Sequence, residues 1–431
     1  MSEWKKVKIG DFLTEREGRY KPDDSKISKY KRLDKIDFSG TIHISDKPTK
    51  TDMIIVHPGD LVISGINVAK GAVAVYQGDD PVCATIHYSS YTFDSSKVDL
   101  EYFKYFVKSP AFIAALQKQV KGGIKTEIKP KHLLPLEISI PELQTQQEIV
   151  KKISLQLKKT EQLYVEIESQ KNYIKQLRQN ILQEAIEGKL TAEWRKQNPV
   201  QKGNPDYDAE ALFEQIQNER SKEKKQKELS PITDKEKPFE IPEGWKWVRF
   251  GSVIDITTNI VNSSDYKNMI QVSPDDIEKN TGRLIYPLRT VKEKEIISVN
   301  HLFSKDMLIY SKIRPRLRKI VYVDFDGLCS ADMYPLKTSL KYAFVKQLML
   351  SDYFDLEVYK FDNRVKMPKI NQPQLNSIKI PIPPLEEQSE IVRLVETNLT
   401  KISKIESQIQ EREIYTKQLM QSILKDAFEE N

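Results

Sequence analysis

The chain has 431 residues, of which 39% are hydrophobic and 30% charged, with a net charge of +6 and an isoelectric point near 8.8. That length is too great for one core and points to roughly two to four domains, while the modest positive excess permits nucleic-acid binding without establishing it. There is no run of about 18 apolar residues and no apolar leader in the opening MSEWKKVKIGDF, so the expectation is a soluble, cytoplasmic protein that makes no use of a membrane.

Residues 1–140 read as a mixed α/β globule opening on Trp4-Lys5-Lys6-Val7-Lys8-Ile9-Gly10. Short β-branched runs at Met53–Val56, Leu61–Ser64, Gly71–Tyr76 and Val82–His87 are punctuated by Pro58-Gly59, Gly65, Gly78 and Pro81, which is how strands and turns alternate. A helical pattern follows at Leu100–Lys121, broken near Pro110 and ended by Gly122-Gly123.

Residues 141–188 read as one long helix. Val150, Ile153, Leu157, Leu163, Ile167, Ile174, Leu177, Ile181 and Ala185 recur at steps of three or four residues or their sums, on an otherwise charged rod. Pro141 suits the start, Thr145-x-x-Glu148 fits a capping box, and Gly188 is a stop. Residues 189–243 are polar and read as a surface connector with one amphipathic helix, at Ala209–Glu228.

A second globule, 244–382, then opens as the first did. Trp245 to Gly251 matches Trp4 to Gly10 at an offset of 241, and Cys329 sits 246 residues beyond Cys83. Buried reduced thiols are preferred to a disulfide for these two cysteines. Residues 383–431 form a second long helix, in which Val392, Val395, Leu399, Ile402, Ile405, Ile409, Leu419 and Ile423 make the stripe. Aligned without a gap at an offset of 242, residues 141–188 and 383–430 are identical at 18 of 48 positions. The chain is therefore globule, helix, connector, globule, helix. A rod of roughly 42 residues is about 63 Å long and needs a partner for its apolar stripe. Its own repeat is the obvious one, with Val150, Ile153, Leu157, Ile167, Ile174 and Ile181 facing Val395, Leu399, Ile402, Ile409, Leu419 and Ile423.

The repeat, the segments I-P-E-L-x-x-Q-x-E-I-V and I-P-P-L-E-E-Q-x-E-I-V, the ending L-R-Q-x-I-L-Q-x-A-x-x-G-K-L-T, and the second-globule opening Pro238 to Arg249 together resemble the specificity subunit of type I restriction-modification enzymes. The resemblance covers essentially the whole chain. It implies an α+β fold with two target recognition domains and an antiparallel coiled coil that docks two modification (methyltransferase) subunits, joined by restriction subunits for cleavage. It implies an asymmetric, bipartite target in double-stranded DNA with an unread spacer. S-adenosylmethionine, ATP and magnesium are then expected on the partner subunits, and no cofactor or metal on this chain. The competing reading is a coiled-coil structural adaptor with no base readout.

The sharpest local signal for DNA contact is Lys312-Ile313-Arg314-Pro315-Arg316-Leu317-Arg318-Lys319. Read as an extended segment, it points Arg314, Arg316 and Arg318 to one face, where guanidiniums pair with guanine or brace phosphate; the alternative is a solvated basic hairpin tip. In the first globule the matching stretch offers Asn67 for adenine and Lys70 for phosphate, or is a plain glycine-rich turn. Lys121 and Lys125, and Arg364 and Lys366, precede the long helices as phosphate contacts or as solvated loops. The basic start, including Arg16, Arg19 and Lys21, reads as general solvation.

Motifs for chemistry are missing. There is no methyltransferase Asp/Asn-Pro-Pro-Tyr/Phe site, and Asn204-Pro205-Asp206-Tyr207 reads as a turn and cap. No Gly-x4-Gly-Lys-Ser/Thr occurs. Pro22-Asp23-Asp24 and Pro274-Asp275-Asp276 read as turns rather than nuclease carboxylates, and the five histidines offer no pair at metal-ligand spacing. The expected role is that of a non-catalytic subunit.

Overall fold

Both long helices form where the repeat places them, Leu143–Ile186 and Leu385–Phe428, each of 44 residues. The structure, a computed structural model, describes residues 4–37, 40–46, 49–66, 72–119, 128–222, 229–361 and 368–428. The chain divides into two units, Met1–Gln170 with Gln408–Asn431, and Lys171–Ser407, so each long helix contributes to both.

The seam of the helices is stricter than the apolar stripe suggests. On the first helix Gln146, Ile153, Thr160, Ile167 and Ile174 are buried at intervals of seven residues; on the second Gln388, Val395, Ile402, Ile409 and Thr416 are buried at the same intervals. This is the heptad of a coiled coil. The two threonines sit in it by returning their hydroxyls to the helix, Thr160 to the Leu157 carbonyl and Thr416 to that of Arg412, 2.7 Å each. In the first unit Ile153 and Leu157 share a core with Leu424 and Phe428, while Arg412 donates to Gln170. In the second unit Leu182, Ala185 and Ile186 share a core with Ile391 and Val395, while Arg178 donates to Glu406 at 3.1 Å. Numbers that rise on one helix fall on the other, so the pairing is antiparallel in each unit.

Of the expected seam residues, Val150, Ile181, Leu399 and Ile423 are half-buried and Leu157 is buried. Leu419 is the correction, being 49% exposed, as its repeat partner Leu177 is at 44%. Both lie one step past a buried line whose true members there include Thr416, a residue that an apolar pattern skips.

Each unit carries a globular part of one design. In the first, one sheet runs Leu13–Glu15, Tyr88–Phe93, Leu61–Ser64, Val73–Val75, and another runs Ile42–Ser45, Arg32–Ile36, Val82–Thr85, Met53–Val56. In the second the orders are Ile254–Ile256, Met333–Thr338, Met307–Ser311, Ile320–Val323, and Ile260–Asn262, Val299–Phe303, Gly327–Ser330, Gln271–Val272. A two-stranded ribbon completes each, Lys5–Lys8 with Glu137–Ile140 and Lys246–Arg249 with Lys379–Ile382, in the same register. Cys83 and Cys329 are buried free thiols, each in the third strand of its sheet.

The connector departs from expectation. It holds two described helices, Ala192–Gln197 and Ala209–Lys222, and it has much to bury. Ala209, Leu212 and Ile216 enter the core of the second unit, and Ile232, Phe239 and Ile241 pack against it. Apolar residues only one or two at a time in a charged stretch conceal this docking from a pattern search. The Asn204–Tyr207 turn caps the C-terminal helix, because the Pro205 and Asp206 carbonyls accept that helix's first amides, Leu385 and Glu386, at 3.2 and 3.1 Å. The neighbouring Glu387 carboxylate, 1% exposed, accepts from Thr191, Arg195 and the Trp245 indole at 2.6, 2.5 and 2.7 Å. Among the described residues no helix is long and apolar enough to cross a membrane.

Candidate nucleic-acid interface

The basic segment of the second unit joins strand Met307–Ser311 to strand Ile320–Val323, and it is not extended. Pro315–Leu317 form a 3-10 turn, closed by the Leu317 amide donating to the Arg314 carbonyl at 2.9 Å and that of Arg318 to Pro315 at 2.8 Å. Pro315 has no amide to give a strand and its fixed φ suits the start of a turn. Arg314 and Arg318 flank it with φ of 44° and 48°, left-handed conformations uncommon for any residue but glycine. Strain of this kind is held only where surroundings over-determine the backbone. Here the Arg314 amide is tied to the Pro368 carbonyl at 2.8 Å and that of Lys312 to Asp332 at 3.0 Å.

This geometry divides the five cations by role. Arg318 turns inward: its guanidinium donates to the Leu350 carbonyl at 3.0 Å, to Asp352 at 2.5 Å and to Asp355 at 3.0 Å, with 12% of the side chain exposed. Lys319, at 14%, donates to the Pro274 carbonyl at 2.6 Å. Lys312 lies over the Tyr334 ring at 5.1 Å. Arg314 and Arg316 are exposed. Arg316 rests over the Tyr359 ring at 4.8 Å and reaches Asp355 at 3.4 Å, leaving 54% of its side chain to solvent. Arg318 therefore braces the turn from which Arg314 and Arg316 project.

The turn is one wall of a cleft of about 1100 Å³ within the second unit. Lys171, Lys175 and Arg178 of the long helix line it, as do Arg283, Arg316 and Arg318, against the carboxylates of Glu278, Asp352, Asp355 and Glu406. Lys171, Lys175 and Arg283 escaped the sequence reading because they are scattered along the chain and nothing in their local pattern marks them. Elsewhere in the second unit Lys294, 6% exposed, binds the Asp276 carboxylate, the Gln271 carbonyl at 2.6 Å and the Gln271 side chain at 3.0 Å. Burial alone raises the Asp276 carboxyl, but Lys294 and the Ser273 hydroxyl and amide outweigh it and hold the group below its ordinary value. Pro274-Asp275-Asp276 is thus a turn, and one of its acids is an internal anchor. Burial, and after it the nearby Lys312, lowers the pKa of His301, a core residue.

In the first unit Asn67, Lys70, Lys121 and Lys125 lie outside the described residues, as do Arg364 and Lys366 of the second. What is described is a smaller cleft of about 340 Å³ lined by Arg16, Arg19, His87, Lys129 and Lys131. Arg16 is more than a solvating charge, since it pairs at 2.6 Å with Asp60, whose carboxylate is buried and also accepts from Ser90 and the His57 amide.

Comparison with known proteins bears on what such surfaces serve. The family model described as the type I restriction modification DNA specificity domain matches twice, over residues 1–172 and 242–412. Over 316 residues the chain is 34% identical to the EcoDI type I restriction enzyme specificity subunit of Escherichia coli, an alignment covering 73% of this chain and 67% of that one. Over 96 residues it is 38% identical to the EcoAI specificity subunit of Escherichia coli, covering 21% and 15%. A solved chain from work on the structural basis of complex assembly and conformational transition of the type I R-M system shares the fold, with a TM-score of 0.53, 16% identity, and coverage of 99% of this chain and 97% of that one.

Proposed function

Since the chain belongs to the family of type I restriction-modification DNA specificity subunits, we propose that each of its units reads one half of a bipartite, asymmetric target in double-stranded DNA. The observation that carries this reading is the double match of one specificity domain to two segments of the chain. Globules of one design with unlike cations read unlike half-sites. In the second unit Arg314 and Arg316 are the base or phosphate contacts, with Lys175 and Arg283 as further phosphate contacts along the cleft. In the regions around Asn67, Lys70, Lys121, Lys125, Arg364 and Lys366 the sequence supplies the remaining candidates.

On this reading the chain itself is non-catalytic. The antiparallel helices dock two modification subunits, restriction subunits join for cleavage, and S-adenosylmethionine, ATP and magnesium act on those partners. The test is a gel shift with the modification subunits present, comparing duplexes that carry or scramble the target. Retardation of the intact target alone supports the proposal; indifference to sequence favours a structural adaptor.

A further inference from the structure

The two ribbons that open the units share a register but not a covering. In the second unit Trp247 and Val248 of the ribbon are buried, 6% and 3% exposed. Phe239 of the connector packs edge-on against Trp247 and Tyr353, with ring centroids 4.9 and 5.4 Å apart. The Trp247 indole donates to the Phe239 carbonyl at 3.3 Å. Arg249, two residues along the same strand, binds Glu236 of the connector at 3.0 Å.

In the first unit the residues equivalent to Trp247, Tyr353 and Arg249 are Lys6, Ala111 and Lys8. The equivalence rests on structure. The strand pairing Lys6 with Ser139 repeats as Trp247 with Pro381, and Ser109 caps its helix as Ser351 does, each hydroxyl donating 2.6 Å to the carbonyl three residues back. With both large rings missing, a groove of about 640 Å³ lies open there, lined by Trp4, Lys6, Phe106, Ala111, Ala115 and Ile138. Lys5, Lys6 and Lys8 are all exposed.

We infer that this groove is a docking site for an extended segment of a partner protein, of the pattern acid-x-x-aromatic-x-aliphatic. The second unit supplies the template in Glu236-Lys237-Pro238-Phe239-Glu240-Ile241, with the aromatic ring filling the space over Ala111 and the acid meeting Lys8. Burial of one aromatic anchor in a small apolar groove, with a single charge pair at the rim, is a common mode of peptide capture. The inference is independent of the DNA reading, which a separate assay measures.

A fluorescein-labelled peptide of residues 229–243, titrated into the full chain and followed by anisotropy, tests it. Saturable binding is expected, lost when the peptide carries Phe239→Ala, and at least about tenfold weaker for the proteins Ala111→Glu and Lys8→Glu, which set a carboxylate against the peptide's ring and against its acid. Lys8→Glu is at an exposed strand position, so it remains informative if Ala111→Glu disturbs folding. The target-specific gel shift is expected to be unchanged in both. Absence of saturable binding overturns the inference. So does equal affinity for the wild type and both variants, which would place the peptide on the second unit in exchange for its own connector.

Discussion

Arg318 and Arg316 stand two residues apart and are expected to fail differently when removed. Arg318→Ala strips Asp355, which is 7% exposed, of its nearer partner and leaves it with Arg316 at 3.4 Å; breaking a buried pair costs about 3–5 kcal/mol, and the loss here is expected near the lower end. Urea denaturation is expected to show that loss in full, and Arg318→Lys to recover little of it, because a point charge cannot span the Leu350 carbonyl and two carboxylates. Arg314→Ala should leave stability within about 0.5 kcal/mol of wild type, and Arg316→Ala, which gives up a half-exposed ion pair with Asp355, within about 1 kcal/mol; both should weaken DNA binding instead. If each reads a base, the loss falls on one half of the target; equal loss across all DNA sequences would show phosphate contacts. Lys294 gives a further residue-scale test. Asp276, its partner, has a folded pKa below the ordinary 3.8, so its contribution is present above that value and is lost as the pH falls through the folded one. Wild type should therefore lose stability on acidification below about pH 4 more steeply than Lys294→Met, and pH-dependent urea melts measure the difference.

At the scale of elements, the two long helices begin with the same device. Gln146 donates to the Pro141 carbonyl at 2.8 Å and accepts the Asp99 amide at 2.8 Å; Gln388 does the same with Pro383 at 2.8 Å and Lys341 at 2.9 Å. Each glutamine thus locks a helix start to the globule before it. Gln146→Ala or Gln388→Ala takes a donor from a buried proline carbonyl and the acceptor from a part-buried amide, and should cost about 1–3 kcal/mol by chemical denaturation. The identity of these glutamines in the repeat was visible in the sequence, but their role was not, since it depends on amides 47 residues away. The same distinction runs through the molecule. Helix spans, the repeat and its offset follow from local periodicity and were legible. The docking of Phe239 and Ile241, the turn at Pro315–Leu317 and the inward course of Arg318 depend on Tyr353, Pro368 and Asp355, which no local pattern connects to them. A run of alternating arginines invited an extended reading because alternation is what strands show; Pro315 was the signal against it.

For the whole molecule, the proposal makes helix length a determinant of the target. Half-sites read from one face of a duplex lie roughly 34 Å apart per helical turn. Deleting one heptad from each long helix, at matching positions so that the seam keeps its phase, shortens each rod by about 10 Å. The unread spacer is expected to shorten, as measured by selection from randomised duplexes; an unchanged spacer would refute the role of the helices in setting it. The central claim, that two diverged copies of one domain read two different half-sites for partners that carry the chemistry, is tested most directly by mapping methylated bases genome-wide in cells that carry this chain with its modification subunits. The account predicts an asymmetric motif of two short defined blocks around an unspecified spacer, absent when the chain is deleted, with the Arg314→Ala, Arg316→Ala variant altering one block at most. A single contiguous motif, or methylation that persists without the chain, would contradict it.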